Sequence, residues 1–256
     1  MHIFICTLKL EDMANKAIIS LSGGLDSTML LMHLLAEDKS VRAYSFDYGQ
    51  KHDIELKKVV KNIEFLQSKG FPVTHQIINV RDCFSDSASS LTKGGDDIPK
   101  GDYSVENQSS TVVENRNIIF SAIIYGKALA WAKKDNCEVE ITLGIHAGDH
   151  SVYPDTTPES FEAAKHCYEI SNWRSELVDY IAPFVKLEKH ELLEDGIRSM
   201  RAMGLNNDEI NMVIANTHSC YDPDEEGRSC GECGTCKERL EAFKKCGLVD
   251  PAPYQN

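Results

Sequence analysis

Positive charge is scarce in this sequence. Its 256 residues carry 27 lysines and arginines against 40 acidic side chains, a formal net charge of −13. A broad electrostatic grip on a nucleic acid needs a basic surface, so no nucleic-acid partner is expected. A small anion held by local backbone amides is still allowed. Long apolar runs are also missing. None reaches the ~20 residues of a membrane-spanning helix, and no membrane partner is expected. The opening MHIFICTLKLEDMANK has a short apolar patch followed by Glu11 and Asp12, without a small-residue cleavage site. It reads as cytoplasmic chain and not as a secretory leader. No internal repeat is visible. Two nucleotide fingerprints are absent as well, the lysine-bearing G-x-x-x-x-G-K-[ST] loop and the dinucleotide G-x-G-x-x-G.

What is present is an alternation of short apolar runs and amphipathic stretches. AIISL (17–21), VRAYSFDY (41–48), VTHQIINV (73–80), CEVEITLGI (137–145) and VDYIAPFV (178–185) predict five strands. Helices are predicted over 26–37, 54–70, 118–134, about 187–203 and 207–217. Strand-helix alternation predicts a doubly wound α/β fold with a parallel five-stranded sheet covered on both faces. Ligands bind such sheets beyond the carboxyl ends of the strands, where strand order reverses. The loops after strands one, two and four carry the unusual chemistry: SGGLDS, DYGQKH and HAGDHSVYPD. Residues 81–115 are rich in Ser, Gly and Asp and too long for an idle connector. They are expected to form a mobile insertion, with a lid or a dimer contact as its functional reading.

SGGLDST, between strand one and its helix, offers small residues, hydroxyls and a helix N-terminus to a phosphate. Its lack of a lysine separates it from loops that handle a γ-phosphoryl group. Asp26 stands at the start of the helix, either ordering the loop or bearing on a magnesium ion. Of nine cysteines, four crowd together as C-x9-C-x2-C-x2-C: Cys220, Cys230, Cys233 and Cys236. Four thiolates close a tetrahedral zinc site. An iron–sulfur cluster is the rival, but the ferredoxin continuation C-x3-C-P is missing, so zinc in a structural role is expected.

Ser-Gly-Gly-x-Asp-Ser after an N-terminal strand resembles the pyrophosphate loop of the ATP pyrophosphatase superfamily. That resemblance implies cleavage of ATP between the α- and β-phosphates, with the loop keeping the pyrophosphate. The joint pattern is narrower. SGGLDS, FDYGQKHDIEL, RN, GDHSVYPD, PFVKLEKHE and SCY…CGECGTCKER together closely resemble the 7-cyano-7-deazaguanine synthase family, from Ala17 over nearly the whole chain. The resemblance implies an adenine-nucleotide α-hydrolase-like ATP-binding unit (13–205), a small helical zinc-binding region (206–256) and a homodimer. It also implies ATP and Mg²⁺ as cofactors beside the zinc, and 7-carboxy-7-deazaguanine and ammonia as substrates in queuosine-type deazapurine biosynthesis.

By the same resemblance, Leu21, Ser22, Gly23, Gly24, Leu25, Asp26, Ser27 and Thr28 hold ATP. Ser22, Asp26, Arg116 and Lys189 are the catalytic candidates. Tyr48, Gln50, His52, Asn117, Asp149, Tyr153 and Asp155 line the substrate side, and the four clustered cysteines hold the zinc. The chain departs from the family pattern at Val152, where glycine is usual, and at Thr156-Thr157, where Cys-Arg is usual. It departs again in Val113-Glu114-Asn115-Arg116-Asn117, in place of Val-Pro-x-Arg-Asn. These departures gather in the substrate loop, while the ATP and zinc motifs are intact. They motivate an alternative, an adenylating enzyme that stops at the amide or joins a deazaguanine acid to a protein amine. A tRNA thiolation enzyme is disfavoured by the acidic charge.

Overall fold

A computed structural model describes residues 15–255 apart from positions 52, 102, 103, 105–107, 151 and 152 and the side chains at 149 and 150. The first strand, β1 (Lys16–Ser20), has Ala17, Ile18 and Ile19 fully buried. It leads into α1 (Leu25–Ala36), β2 (Ser40–Asp47), α2 (Ile54–Ser68) and β3 (Val73–Asn79). Then follow α3 (Arg116–Asp135), β4 (Val139–Thr142), a single helical turn (Ala147–His150), α4 (Pro158–Ser171) and β5 (Val178–Ile181). The chain ends with α5 (Lys189–Ala202), α6 (Asn207–Ala215) and α7 (Gly234–Lys245). The sheet runs β3-β2-β1-β4-β5 and every pairing is parallel. The order reverses between β1 and β4, so the loops leaving these two strands flank the switch-point crevice.

Side chains alternate along each strand, so the sheet feeds two cores. Ala17, Ile19, Val41 and Ala43 join α1, α2, α5 and α6 on one face. Ile18, Tyr44, Phe46 and Ile141 join α3 on the other. Phe46 and Phe120 stack at 4.0 Å between centroids. Gly196 of α5 lies directly on the Met29 side chain of α1, where a Cβ would have no room. The C-terminal helices share the first core, to which α6 gives Ile210, Val213 and Ile214 and α7 gives Phe243.

Several features differ from the sequence expectation, two strand ends and one helix among them. Strand β4 stops at Thr142 because the chain then crosses the phosphate loop; a Cβ on Gly144 would be 3.3 Å from the Ser27 Cα. Strand β5 stops at Ile181 because Pro183 has no N–H for a ladder, and the chain turns with Val185 N–H donating to the Ala182 carbonyl. Helix α4 has no counterpart in the expected elements. None of its residues is fully buried; only Phe161 and Tyr168 pack half-buried on the second core, a stripe too thin to read from sequence.

The 81–115 insertion, expected to be mobile, makes many contacts along its described residues. Phe84, Ser89, Ser90, Thr92, Gln108 and Thr111 are buried. Lys51 N–H donates to the Leu91 carbonyl and Ser90 N–H to the Ser110 carbonyl. Lys100 forms an isolated bridge with Cys233 and an ion pair with Glu232 at 3.0 Å.

Candidate active site

A cavity of about 350 Å³ opens over the carboxyl ends of the strands. Its floor is the loop between β1 and α1. Gly23 has φ of +93°, and a Cβ there would come 2.6 Å from Val59 Cγ2 and 2.9 Å from the Glu55 carbonyl oxygen. Only glycine combines that backbone with that approach. The loop is cross-braced by Ser22 Oγ and Ser27 Oγ at 3.0 Å and by Gly24 N–H donating to Ser22 Oγ. It is tied to the segment after α6 through His218 N–H and the Gly23 carbonyl, at 2.8 Å. Leu21, Ser22, Gly24, Asp26 and Ser27 line the cavity. Leu25 is instead fully buried in the core, and Thr28 is buried in the first turn of α1.

Asp26 is held from outside its own helix. Lys189, buried at the start of α5, places Nζ 3.3 Å from Asp26 Oδ2 and 2.5 Å from Glu238 Oε2. His146, fully buried after β4, has Nε2 3.7 Å from the same Asp26 oxygen and 4.0 Å from Glu238 Oε1. Asp26 Oδ1 is buried with no hydrogen-bond partner. A buried polar oxygen without a partner is costly; the Asp26 side chain as a whole lines the cavity and is 24% exposed. His146 and Glu238 were not legible as site residues. His146 stood in an expected strand-end loop, and Glu238 was one charge among several beside the cysteines.

The opposite wall belongs to the substrate candidates. Tyr48, Gln50, Arg116, Asn117, Tyr153 and Asp155 all line the cavity. Arg116 reaches Tyr48 Oη at 3.4 Å and lies over the Tyr48 ring, 5.4 Å from its centroid. Burial works against the Arg116 charge, but Tyr48, Tyr221 and Asp155 outweigh it and raise the pKa. Burial pushes the Tyr48 hydroxyl up to about 12, keeping it a donor at neutral pH. Gln50 accepts from Tyr48 N–H at 3.0 Å and donates to Glu55 Oε1 at 3.2 Å. Burial pushes the Glu55 carboxyl up to about 7; Glu55 is a further cavity residue that sequence reasoning missed. Tyr153 Oη and Thr111 Oγ1 are hydrogen-bonded at 2.9 Å.

His52 lies outside the described residues. Asp149 falls in the helical turn Ala147–His150, its side chain outside what is described. Thr156 and Thr157, the departures from the family pattern, serve the backbone: Thr156 Oγ1 donates to the Tyr153 carbonyl, and Thr157 caps α4 by accepting from Ser160 N–H.

The sulfurs of Cys220, Cys230, Cys233 and Cys236 lie within 4.8 Å of one another. Tetrahedral zinc with ~2.3 Å zinc–sulfur bonds needs sulfurs about 3.8 Å apart, so the set fits a metal ion after small adjustments. Backbone N–H groups already point at the sulfurs: Asp222 and Cys230 donate to Cys220 Sγ, and Glu232 and Cys233 to Cys230 Sγ. Hydrogen bonds from Cys220 and Cys236 hold the Cys233 thiol far below its usual range. Cys233 is the N-cap of α7, Cys236 lies in its first turn, and Glu238 follows half a turn on. The same helix carries the buried Arg239, which donates to Asp250 through Nε at 2.6 Å and Nη2 at 2.9 Å and so clamps the C-terminal segment.

Comparison with known proteins agrees with this geometry. Residues 16–247 match the family described as queuosine biosynthesis protein QueC. The chain belongs to the QueC family. It is 37% identical over 243 residues to 7-cyano-7-deazaguanine synthase 1 of Colwellia psychrerythraea (strain 34H / ATCC BAA-681), covering 95% of this chain and all of that one. It is 36% identical over 240 residues to the 7-cyano-7-deazaguanine synthase of Methanoregula boonei (strain DSM 21154 / JCM 14090 / 6A8), covering 94% and 99% of the two chains. The family places it among enzymes of queuosine biosynthesis. Among solved structures, NMN synthetase from Francisella tularensis aligns with a TM-score of 0.41 at 14% identity, over 92% of this chain and 79% of that one. That likeness is too loose to bear on chemistry. No described helix is long and apolar enough to cross a membrane.

Proposed function

We propose that the protein converts 7-carboxy-7-deazaguanine and ammonia to 7-cyano-7-deazaguanine, at the expense of ATP cleaved to AMP and pyrophosphate. The observation that carries this reading is the lysine-free phosphate loop at the switch point, with Asp26 gripped by Lys189 on the cavity lining. An acid must gain a better leaving group than hydroxide before ammonia can displace it. The substrate carboxylate attacks the α-phosphorus of ATP, and pyrophosphate departs toward the amides and hydroxyls of residues 22–27. Ammonia then displaces AMP to give the amide. Adenylation of the amide oxygen by a second ATP, followed by loss of AMP, leaves the nitrile.

Within this scheme Arg116 and Lys189 are the cations available to charge building on phosphate and carboxylate. Tyr48, Asn117, Tyr153 and Asp155 offer hydrogen-bonding groups to the deazaguanine, whose ring and exocyclic N–H groups are donors. Asp26 is the carboxylate for Mg²⁺, which when bound offsets negative charge on the phosphates. The four clustered cysteines are the ligands for Zn²⁺, which when bound would cross-link the segment before α7 to that helix. The working unit is proposed to be a cytoplasmic homodimer. Trp173 and Ile170, at and just beyond the end of α4, are 92% and 71% exposed and supply apolar surface for a second copy.

The test is incubation with 7-carboxy-7-deazaguanine, ammonium and Mg-ATP, followed by mass spectrometry. The nitrile is the expected product. Accumulation of the amide alone, or of an adduct with a protein amine, would favour the alternative chemistry suggested by the altered substrate loop. Neither nitrile nor amide, with active nucleotide cleavage on another acid, would overturn the reading.

A further inference from the structure

Among the described residues, three acidic side chains line the cavity: Asp26, Glu55 and Asp155. They are not equivalent. Asp26 is neutralised by Lys189, and Asp155 stands in the turn at the far wall, beside Tyr153. Glu55 lines the same cavity. It sits in the first turn of α2, and its own carbonyl packs against Gly23 of the phosphate loop. Its carboxyl is aimed by Gln50 Nε2 at 3.2 Å, while Gln50 is itself anchored by the Tyr48 N–H. The charged and titratable groups that face it are Arg116 from α3 and Tyr48 from the turn after β2. Among the described residues, no cation comes within ion-pair distance of it. An oriented carboxyl thus lines the cavity from a residue whose backbone touches the phosphate loop and whose side chain is bonded to Gln50 of the substrate wall.

We propose that Glu55 is the general base that collects the protons released from nitrogen as ammonia is joined to the activated acid. The inference rests on the function proposed above and names a catalytic residue for it. The proton balance of that reaction demands such a group. When ammonia attacks the acyl adenylate, a C–N bond forms, the C–O bond to AMP breaks with its electron pair leaving on AMP, and one proton must leave nitrogen. Adenylation of the amide oxygen forms an O–P bond, expels pyrophosphate and removes a second proton from nitrogen. Breaking the C–O bond to give the nitrile removes a third. Formation of the first acyl adenylate needs no base, because the attacking carboxylate is already ionised. Glu55 takes each proton and returns it to water. A carboxyl whose pKa burial has moved to about 7 is matched to that duty at neutral pH.

The experiment separates the half-reactions in Glu55→Gln and Glu55→Asp. Acid-dependent exchange of labelled pyrophosphate into ATP reads adenylation, and amide formation at constant free ammonia reads aminolysis. The expected result is a fall in aminolysis of about 100-fold or more for Gln, with exchange reduced far less and part of the aminolysis recovered in Asp. In the wild type, aminolysis should rise with pH through about 7, and the Gln variant should lose that rise. Aminolysis kept within a few-fold of wild type in Glu55→Gln would overturn the assignment. So would a parallel loss of exchange and aminolysis, which would mark Glu55 as a binding or folding residue. If the wild type itself shows no exchange with 7-carboxy-7-deazaguanine, the proposed function fails and this inference fails with it.

Discussion

The phosphate loop and the cysteine cluster are both short, glycine-punctuated segments, yet they are finished to different degrees. Around the cysteines the polar groups are paired. Backbone N–H groups meet the sulfurs, and Arg239 meets Asp250, Thr217 and the Ile214 carbonyl. Around the phosphate loop Asp26 Oδ1 is left without a partner, and the Glu55 carboxyl lines the same cavity with no ion-pair partner among the described residues. One region is built to stay closed; the other is built to receive and release ligands. They are joined by α7, which carries Cys236 at its start and Glu238 against Lys189.

Removing the metal should break the comparison most severely. Metal binding in small zinc domains is worth about 10–16 kcal/mol at neutral pH. Chelation, or Cys233→Ser, is expected to lower Tm by about 10 °C or more, on a scale of 2–4 °C per kcal/mol for a chain of this size. Because Glu238 shares the helix, ATP affinity should weaken in the same samples, measured by calorimetry. Unchanged ATP affinity would show that the two regions act separately.

A smaller change isolates the other side. Gly23→Ala forces a positive φ on a residue with a Cβ and drives that Cβ into Val59 and the Glu55 carbonyl. The expected loss is about 1–3 kcal/mol in urea denaturation, with a raised KM for ATP and full metal content. Loss of metal would mean that the loop supports the cysteine site as well.

The smallest expected effect sharpens the contrast between a committed and an uncommitted carboxyl. Glu55 is raised from 4.5 to about 7 in the folded protein. Between those values the folded state holds more protons than the unfolded state, so this group's contribution to stability falls as pH rises. Its cost is fully expressed above about 7. Glu55→Gln should therefore gain on the wild type between pH 5 and pH 8, by about 1 kcal/mol, since the carboxyl is only partly shielded from water. Denaturant midpoints at the two pH values check this. A gap that narrows as pH rises would contradict it.

Much of the fold was legible because its central strands are largely buried and read as apolar stretches between turn residues; β1 and β2 lie within one residue of their expected bounds. The phosphate loop and the metal site were legible because close backbone approach demands glycine and metal binding demands clustered thiols. Helix α4 was not, since only Phe161 and Tyr168 pack on the core and no residue is fully buried. Glu55, His146 and Glu238 were not, because a charge on an amphipathic helix or after a strand looks the same whether it faces water or a cavity. Only the packing of α2, α5 and α7 around the β1–α1 loop distinguishes them. Lys189 was matched by motif alone, and its position between two carboxylates comes from the docking of α5 beside α7.

A lysine-free loop is proposed to direct cleavage to the α–β bond of ATP. The most direct test is the nucleotide formed when the protein turns over 7-carboxy-7-deazaguanine with ammonium and Mg-ATP. AMP and pyrophosphate are expected, two of each per nitrile. ADP and phosphate would contradict it.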